Sequence, residues 1–146
     1  MTENKRTVEK YIEGFRKSDH EMILACLTDD IEWEMPGTFR LIGKEAFDKE
    51  IENDEFVGSP TMTITRMTEE NDVVVAEGSV RTERKAGGFL NAVFCDVFVM
   101  QRGKNQTKLR LKPASRQISI SLLASATSLW PRSEIHSGRK WQTSPT

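Results

Sequence analysis

The segment Asn91–Met100, NAVFCDVFVM, constrains the fold of this chain most strongly. It is rich in β-branched and aromatic residues, which favour a strand, and nearly all of its side chains are apolar. A strand that is apolar on both sides has to be covered on both sides. The segment also contains one carboxylate, Asp96, and a buried carboxylate must be paired, hydrogen-bonded or neutral. Asp96 is therefore either a structural residue tied to an arginine or to backbone amides, or a candidate general acid or base.

Helical patterns come before this strand. Val8, Tyr11, Ile12 and Phe15 recur at the spacing of one helix face, which predicts an amphipathic helix from Thr7 to about Lys17. Ser18 and Glu21 have the spacing of a capping box, which predicts that a second helix begins there. A third helix is predicted to begin after Gly43 and to run to about Asn53.

Strand patterns make up the rest of the first hundred residues. Segments rich in strand-forming residues, with apolar and acidic residues alternating over 31–35, predict strands over 31–35, 61–68, 73–84 and 89–100, with turns at 69–72 and 85–88. The predicted order is α-α-β-α-β-β-β, followed by one further strand. Helices that come beside hairpin-connected strands indicate the α+β class, here a curved antiparallel sheet packed against three helices.

The charge changes sign near Gly103. Residues 1–103 have a net charge of −8, whereas residues 104–146 have +7 and are rich in serine. We therefore divide the chain into a core, 1–103, and a basic tail, 104–146, whose first residues complete the last strand. The tail is either an out-of-frame translation that begins at the A-rich codons of Lys104 and Asn105, or a genuine basic extension.

Composition excludes several classes of function. The formal net charge of −1 gives no global basic field for nucleic acid, so a nucleic-acid partner is not expected. Cys26 and Cys95 lie in apolar patterns without metal-ligand spacing, and no phosphate-binding loop is present, so neither a metal nor an organic cofactor is expected. No segment has the length of a membrane span or a signal peptide, and we expect a cytoplasmic protein without a membrane partner.

The order of elements, with DDIEWEMPG after the second helix and FCDVFVMQRGK at the end of the last hairpin, resembles the SnoaL-like and ketosteroid-isomerase-like proteins of the nuclear-transport-factor-2-like superfamily. The resemblance covers about residues 7–104. It implies a curved sheet wrapped against helices around a deep apolar pocket, and often a homodimer through the outer sheet face. It does not specify an activity, because the superfamily includes isomerases, cyclases, hydrolases and binding domains.

The resemblance also implies roles for individual residues. Tyr11 corresponds to the tyrosine that donates a hydrogen bond to the substrate oxyanion in ketosteroid isomerases. Asp96 corresponds to a carboxylate that serves as the second oxyanion donor there, or as the acid or base in polyketide cyclases. The residue before Pro36, however, is Met35 rather than the catalytic aspartate, so a steroid-type isomerisation is doubtful. Glu34 is the carboxylate nearest to this vacant base position and is a candidate base, but strand alternation points its side chain away from Trp33 and Met35.

Five residues are expected to form the wall of a ligand pocket, or else ordinary core: Phe15, Trp33, Met35, Phe94 and Phe98. The leading hypothesis is an enzyme without cofactor that performs acid/base chemistry on an apolar carbonyl, polyketide-like or epoxide compound, of the isomerase, cyclase or hydrolase type. The alternatives are a module that binds a small hydrophobic molecule without reaction, and a dimeric interaction domain.

Overall fold

The computed structural model describes residues 1–35, 39–102 and 107–112. The elements, in chain order, are α1 (Glu3–Lys17), α2 (His20–Ala25), β1 (Glu32–Met35), β2 (Phe39–Ile42), α3 (Lys44–Lys49), β3 (Phe56–Glu70), β4 (Val73–Arg84), β5 (Phe89–Arg102) and β6 (Thr107–Lys112). Strands β3 to β6 form a curved antiparallel sheet in that order, and β1 and β2 form a separate hairpin. The predicted α+β class is confirmed.

The sheet has one face toward the helices and one face away from them. Along β4, residues 74, 76, 78, 80 and 82 are buried, whereas the residues between them are half-buried or exposed. The register sets Ala76 opposite Asp96 and Gly78 opposite Phe94, so β5 presents its even-numbered residues to the same inner face. Asp96 therefore lies on the inner face, and Val93 and Val97 lie on the outer face.

The core forms where α1 crosses this inner face. Val8, Ile12, Phe47 and Phe98 are almost entirely buried, and Ile23 and Leu27 extend the same cluster through α2 and the residues that follow it. Burial of a side chain of this size contributes roughly 1.5 to 3 kcal/mol. This buried cluster holds α1 against the inner face of the sheet.

Two helix boundaries differ from the prediction because local hydrogen bonds define them. α1 begins at Glu3 rather than Thr7, since the Thr2 side chain caps it by accepting a hydrogen bond from the Lys5 amide at 3.2 Å. The predicted Ser18–Glu21 capping box is wrong. Ser18 instead ends α1 with a left-handed φ of 51°, and Asp19 caps α2 by accepting from the Met22 amide at 2.9 Å.

The region between β1 and β3 also differs. β2 was not predicted, yet it pairs with β1 and sets Trp33 opposite Leu41. α3 ends at Lys49 rather than near Asn53, where the Asn53 side chain accepts from the Glu55 amide at 2.9 Å and begins a turn. β3 begins five residues before the predicted Thr61, because an irregular register between Val57 and Thr61 accommodates a glycine and a proline in the strand.

The end of the described chain is an edge strand. β6 pairs antiparallel with β5, with Phe98 opposite Leu111. Residues 113–146, which include most of the predicted basic tail, lie outside the described residues.

Candidate functional site

A cavity of about 460 Å³ lies between α1, the segment after α3 and the inner face of the sheet. Its wall is built from aromatic and aliphatic side chains together with polar groups. The lining residues are Tyr11, Ile12, Phe15, Ser18, Trp33, Glu50, Ile51, Glu52, Asn53, Asp54, Phe56, Gly58, Ser59, Pro60, Met62, Val80, Thr82, Lys85, Phe94 and Asp96. The volume lies in the range of small-molecule sites.

Tyr11 reaches this cavity from the buried face of α1. It is 5% exposed, and three phenylalanine rings surround it. The ring centroids of Phe15 and Phe98 lie 5.1 Å and 5.6 Å from that of Tyr11, both edge-on, and Phe47 lies at 6.3 Å. Such pairs fix the ring orientation, so the position of the hydroxyl is set by packing rather than by a flexible rotamer.

Asp96 reaches the same cavity from the middle of β5. Burial and the negative charge of Asp96, together with a smaller effect of Cys26, raise the pKa of Tyr11 well above its ordinary value of 10.0. The phenol therefore stays protonated at neutral pH and remains a hydrogen-bond donor. A phenol donor and a carboxylate thus face one space, which is an arrangement suited to proton transfer on a bound molecule.

The other predicted site residues differ in whether they line the cavity. Phe15, Trp33 and Phe94 line the cavity with Tyr11 and Asp96. Phe98 is fully buried behind Tyr11 and is not among the lining residues of the described chain. Glu34 is half-buried on the β1–β2 hairpin, opposite Arg40, and is likewise absent from the described lining. The side chain of Met35 lies outside the described residues.

Sequence reasoning missed the mouth of the cavity. The segment 50–54, with Glu50, Glu52 and Asp54, lines it, although its acidic run resembles the solvated face of a helix. Gly58, with a left-handed φ of 65°, brings the first part of β3 into the same wall. The register of β3 is irregular between Val57 and Thr61, and no alternation in the sequence indicates this irregularity.

A histidine links α2 to this mouth. His20 Nδ1 lies 2.6 Å from Asp48 Oδ1, and Nε2 lies 3.1 Å from Glu52 Oε1. Hydrogen bonds to these two carboxylates raise the pKa of His20 above 6.5. The imidazole therefore connects α2 to α3 and to the segment that lines the cavity.

The described residues offer no metal site, since no three histidine, cysteine or carboxylate side chains among them come together as ligands. Across the same ranges, every helix is too short or too polar to traverse a bilayer.

Comparison with known proteins identifies the family. Residues 8–105, more than half of the chain, match the sequence model described as the SnoaL-like domain, and the chain belongs to that family. No curated protein matches the chain.

Solved structures share the fold at low identity. TerC co-crystallised with polyporic acid is 19% identical, with a TM-score of 0.61 over 76% of this chain and 92% of TerC. A ketosteroid isomerase-like protein from Erwinia carotovora atroseptica is 18% identical, with a TM-score of 0.58 over 73% of this chain and 88% of its own. An LEH-like epoxide hydrolase from M. tuberculosis is 19% identical, with a TM-score of 0.56 over 75% of this chain and 76% of its own. Likeness at this identity establishes the fold.

Proposed function

From membership of the SnoaL-like family, we propose that the protein is an enzyme that moves a proton on a small, largely apolar carbonyl compound by acid/base chemistry without a cofactor. The observation that carries the proposal is the presence of Tyr11 and Asp96 in one cavity, coupled closely enough for Asp96 to raise the pKa of Tyr11. The aromatic wall of Phe15, Trp33 and Phe94 suits a hydrophobic ring system.

Each group has a distinct role in the proposed reaction. The Asp96 carboxylate accepts a proton from the carbon next to the carbonyl, so the C–H bond breaks and its electron pair moves onto the carbonyl oxygen. The Tyr11 hydroxyl donates a hydrogen bond to the enolate oxygen that forms, and it keeps its own proton because its pKa is raised. Transfer of the proton from Asp96 to a different carbon of a conjugated enolate completes an isomerisation. In a cyclisation, the enolate carbon instead attacks a second carbonyl, and the oxygen of that carbonyl takes the proton from Asp96.

The similar structures support a small organic ligand. One of them holds polyporic acid, and another is an epoxide hydrolase. For an epoxide, Asp96 would take a proton from a water molecule as its oxygen attacks a ring carbon. The ring C–O bond would break, and the freed oxygen, hydrogen-bonded by Tyr11, would take the proton from Asp96. The alternative is a module that binds such a compound without reaction, and the non-carboxylate residue Met35 before Pro36 favours it.

Deuterium exchange tests the proposal directly. A bicyclic ketone such as 2-tetralone in D2O should lose its α-protons faster with the protein than without it, as followed by proton NMR. Tyr11→Phe should slow the catalysed exchange by about 10²- to 10³-fold, the usual effect of losing one oxyanion donor. Asp96→Asn should slow it by about 10²- to 10⁴-fold.

Glu83→Gln is the control, because Glu83 is an exposed carboxylate on β4 that is not among the described cavity-lining residues. It should leave the exchange rate unchanged. Saturable ketone binding without accelerated exchange would identify the protein as a binding module and refute the enzymatic proposal.

A further inference from the structure

Thr82 is a buried polar residue on the cavity wall that the proposed chemistry does not use. It is 4% exposed and lies on the inner face of β4, in line with Val80 and Ala76. Among the described residues its hydroxyl has no hydrogen-bonding partner, in contrast to Thr65, whose hydroxyl donates to the Glu77 carbonyl at 2.9 Å. The enclosed side-chain polar atoms without a partner in the described chain are Asn4 Oδ1 and Thr28 Oγ1, and Thr82 Oγ1 is not one of them. The Thr82 hydroxyl is therefore open to the cavity, where it can donate to or accept from a bound molecule.

The register places this hydroxyl far from the reacting groups. Asp96 lies opposite Ala76, and Thr82 is six residues farther along the same strand and on the same face. At about 3.3 Å per residue, the two positions are separated by up to about 20 Å along the sheet. Val80, Phe94 and Met62 line the wall between them. The cavity therefore has a polar group at each end and apolar side chains in the middle.

The charges at the Thr82 end indicate which kind of ligand group fits there. Glu50, Glu52 and Asp54 line the mouth, and Lys85 is the cation among the described lining residues. The Lys85 amide donates to the Glu55 carbonyl at 2.8 Å, which joins the end of β4 to the segment that carries these carboxylates. Three carboxylates against one ammonium disfavour an anionic ligand end.

We propose that Thr82 is a specificity-determining residue: its hydroxyl bonds to a neutral hydroxyl or carbonyl group at the far end of an elongated ligand whose reacting carbonyl lies at Tyr11. This inference rests on the proposed function for the position of the reacting carbonyl. It adds the substrate class, which is a long, mostly apolar molecule with an oxygen function at each end.

Two pairs of ligands test the two ends of the cavity independently. The first pair is a straight-chain methyl ketone with and without a terminal hydroxyl group, measured over a series of increasing chain length by calorimetry. The second pair is the ketone and the hydrocarbon of equal length. The terminal hydroxyl should tighten binding by about three- to tenfold at one chain length and less at shorter ones, since one hydrogen bond is gained. A terminal carboxylate in its place should bind more weakly than the hydroxyl.

Substitutions assign each effect to a residue. Thr82→Val should abolish the advantage of the terminal hydroxyl while leaving the plain ketone unchanged, and Thr82→Ser should restore it. Thr63→Val is the matched control, because Thr63 is an exposed strand threonine outside the described cavity lining. It should leave the difference in affinity within each ligand pair unchanged. Circular dichroism of each variant verifies folding.

The outcomes distinguish the two proposals. An advantage of the terminal hydroxyl that survives in Thr82→Val, or that is absent from the wild type at every chain length, would overturn the role of Thr82. A preference for ketone over hydrocarbon that survives in Tyr11→Phe would instead overturn the proposed function. The comparison of methyl ketones with and without a terminal hydroxyl group would still test the role of Thr82.

Discussion

Gly78→Ala is the substitution whose effect follows most directly from the packing of the sheet. Gly78 lies on the inner face of β4, opposite Phe94, whose ring forms part of the cavity wall. An ideal Cβ at this position would lie 2.1 Å from the Thr63 carbonyl oxygen and 2.6 Å from the Phe94 Cζ atom. The glycine is therefore required by close approach of the β3 backbone and an aromatic ring, rather than by an unusual φ.

The distances set the size of the expected effect. Real Cβ atoms do not approach other atoms closer than about 3.0 Å, so the Thr63 oxygen has to move by roughly 0.9 Å. The Phe94 ring can tilt into the cavity, but a backbone oxygen within a strand cannot move without straining the β3–β4 pairing. Overpacking of this kind costs about 1 to 3 kcal/mol or more, and loss of a ladder hydrogen bond adds about 1 kcal/mol. The smaller entropy of the unfolded alanine chain offsets about 0.4 to 1 kcal/mol.

We therefore expect Gly78→Ala to lower the free energy of unfolding by about 1 to 4 kcal/mol and, at a slope of about 2 kcal/mol per M, the urea midpoint by about 0.5 to 2 M. Urea titration followed by tryptophan fluorescence measures both. Ser79→Ala is the control, since Ser79 is the exposed neighbour on the same strand, and it should stay within about 0.5 kcal/mol of the wild type. A Gly78→Ala protein as stable as the wild type would show that the β3–β4 register at this point is wrong.

Two further predictions concern other surfaces. Because the pKa of His20 is raised in the folded state, its contacts with Asp48 and Glu52 stabilise the fold below about pH 6.5 and lose that contribution as pH rises through the folded pKa. His20→Gln should therefore lower the free energy of unfolding by about 0.5 kcal/mol at pH 5.5 and by nothing measurable at pH 8.5; an equal loss at both pH values would contradict the assignment. We also propose a homodimer through the outer sheet face, where Phe89 and Val93 are 52% and 64% exposed. Sedimentation equilibrium should give the mass of two chains and Val93→Glu the mass of one, whereas a wild-type mass of one chain at micromolar concentration would count against the dimer.

Local sequence patterns were sufficient to predict β4, β5 and the turn between them. β4 spans the predicted residues, Val73–Arg84, and β5 begins at the predicted Phe89. The two glycines after Lys85 take left-handed φ values of 97° and 79°, as a hairpin turn in this position requires. These features are local, because the period of the side chains and the chemistry of the turn both lie in adjacent residues.

Features that depend on contacts distant in sequence were not predicted. The first part of β3 contains Gly58 and Pro60, which individually argue against a strand, and only pairing with β4 maintains it. β2 is four residues long and depends on its partner β1. Thr82 could not be identified as a site residue from the sequence, because threonine is common in strands. Only the cavity between the sheet, α1 and the segment 50–54 distinguishes it from other strand threonines.

The measurement that tests the central claim most directly is the ionisation of Tyr11 in the folded protein. Tyr11 is the single tyrosine of the chain, so ultraviolet absorbance of the phenolate reports on it alone. Because the folded pKa is raised, the protein should ionise this residue only well above pH 10, and its stability should fall as pH rises from about 10 through the folded pKa. Asp96→Asn removes the negative charge that contributes to the shift, and should lower the pKa of Tyr11 while tryptophan fluorescence shows that the chain is still folded. Ionisation near pH 10 in the folded wild type, or a pKa that Asp96→Asn leaves unchanged, would contradict the placement of the two groups in one cavity.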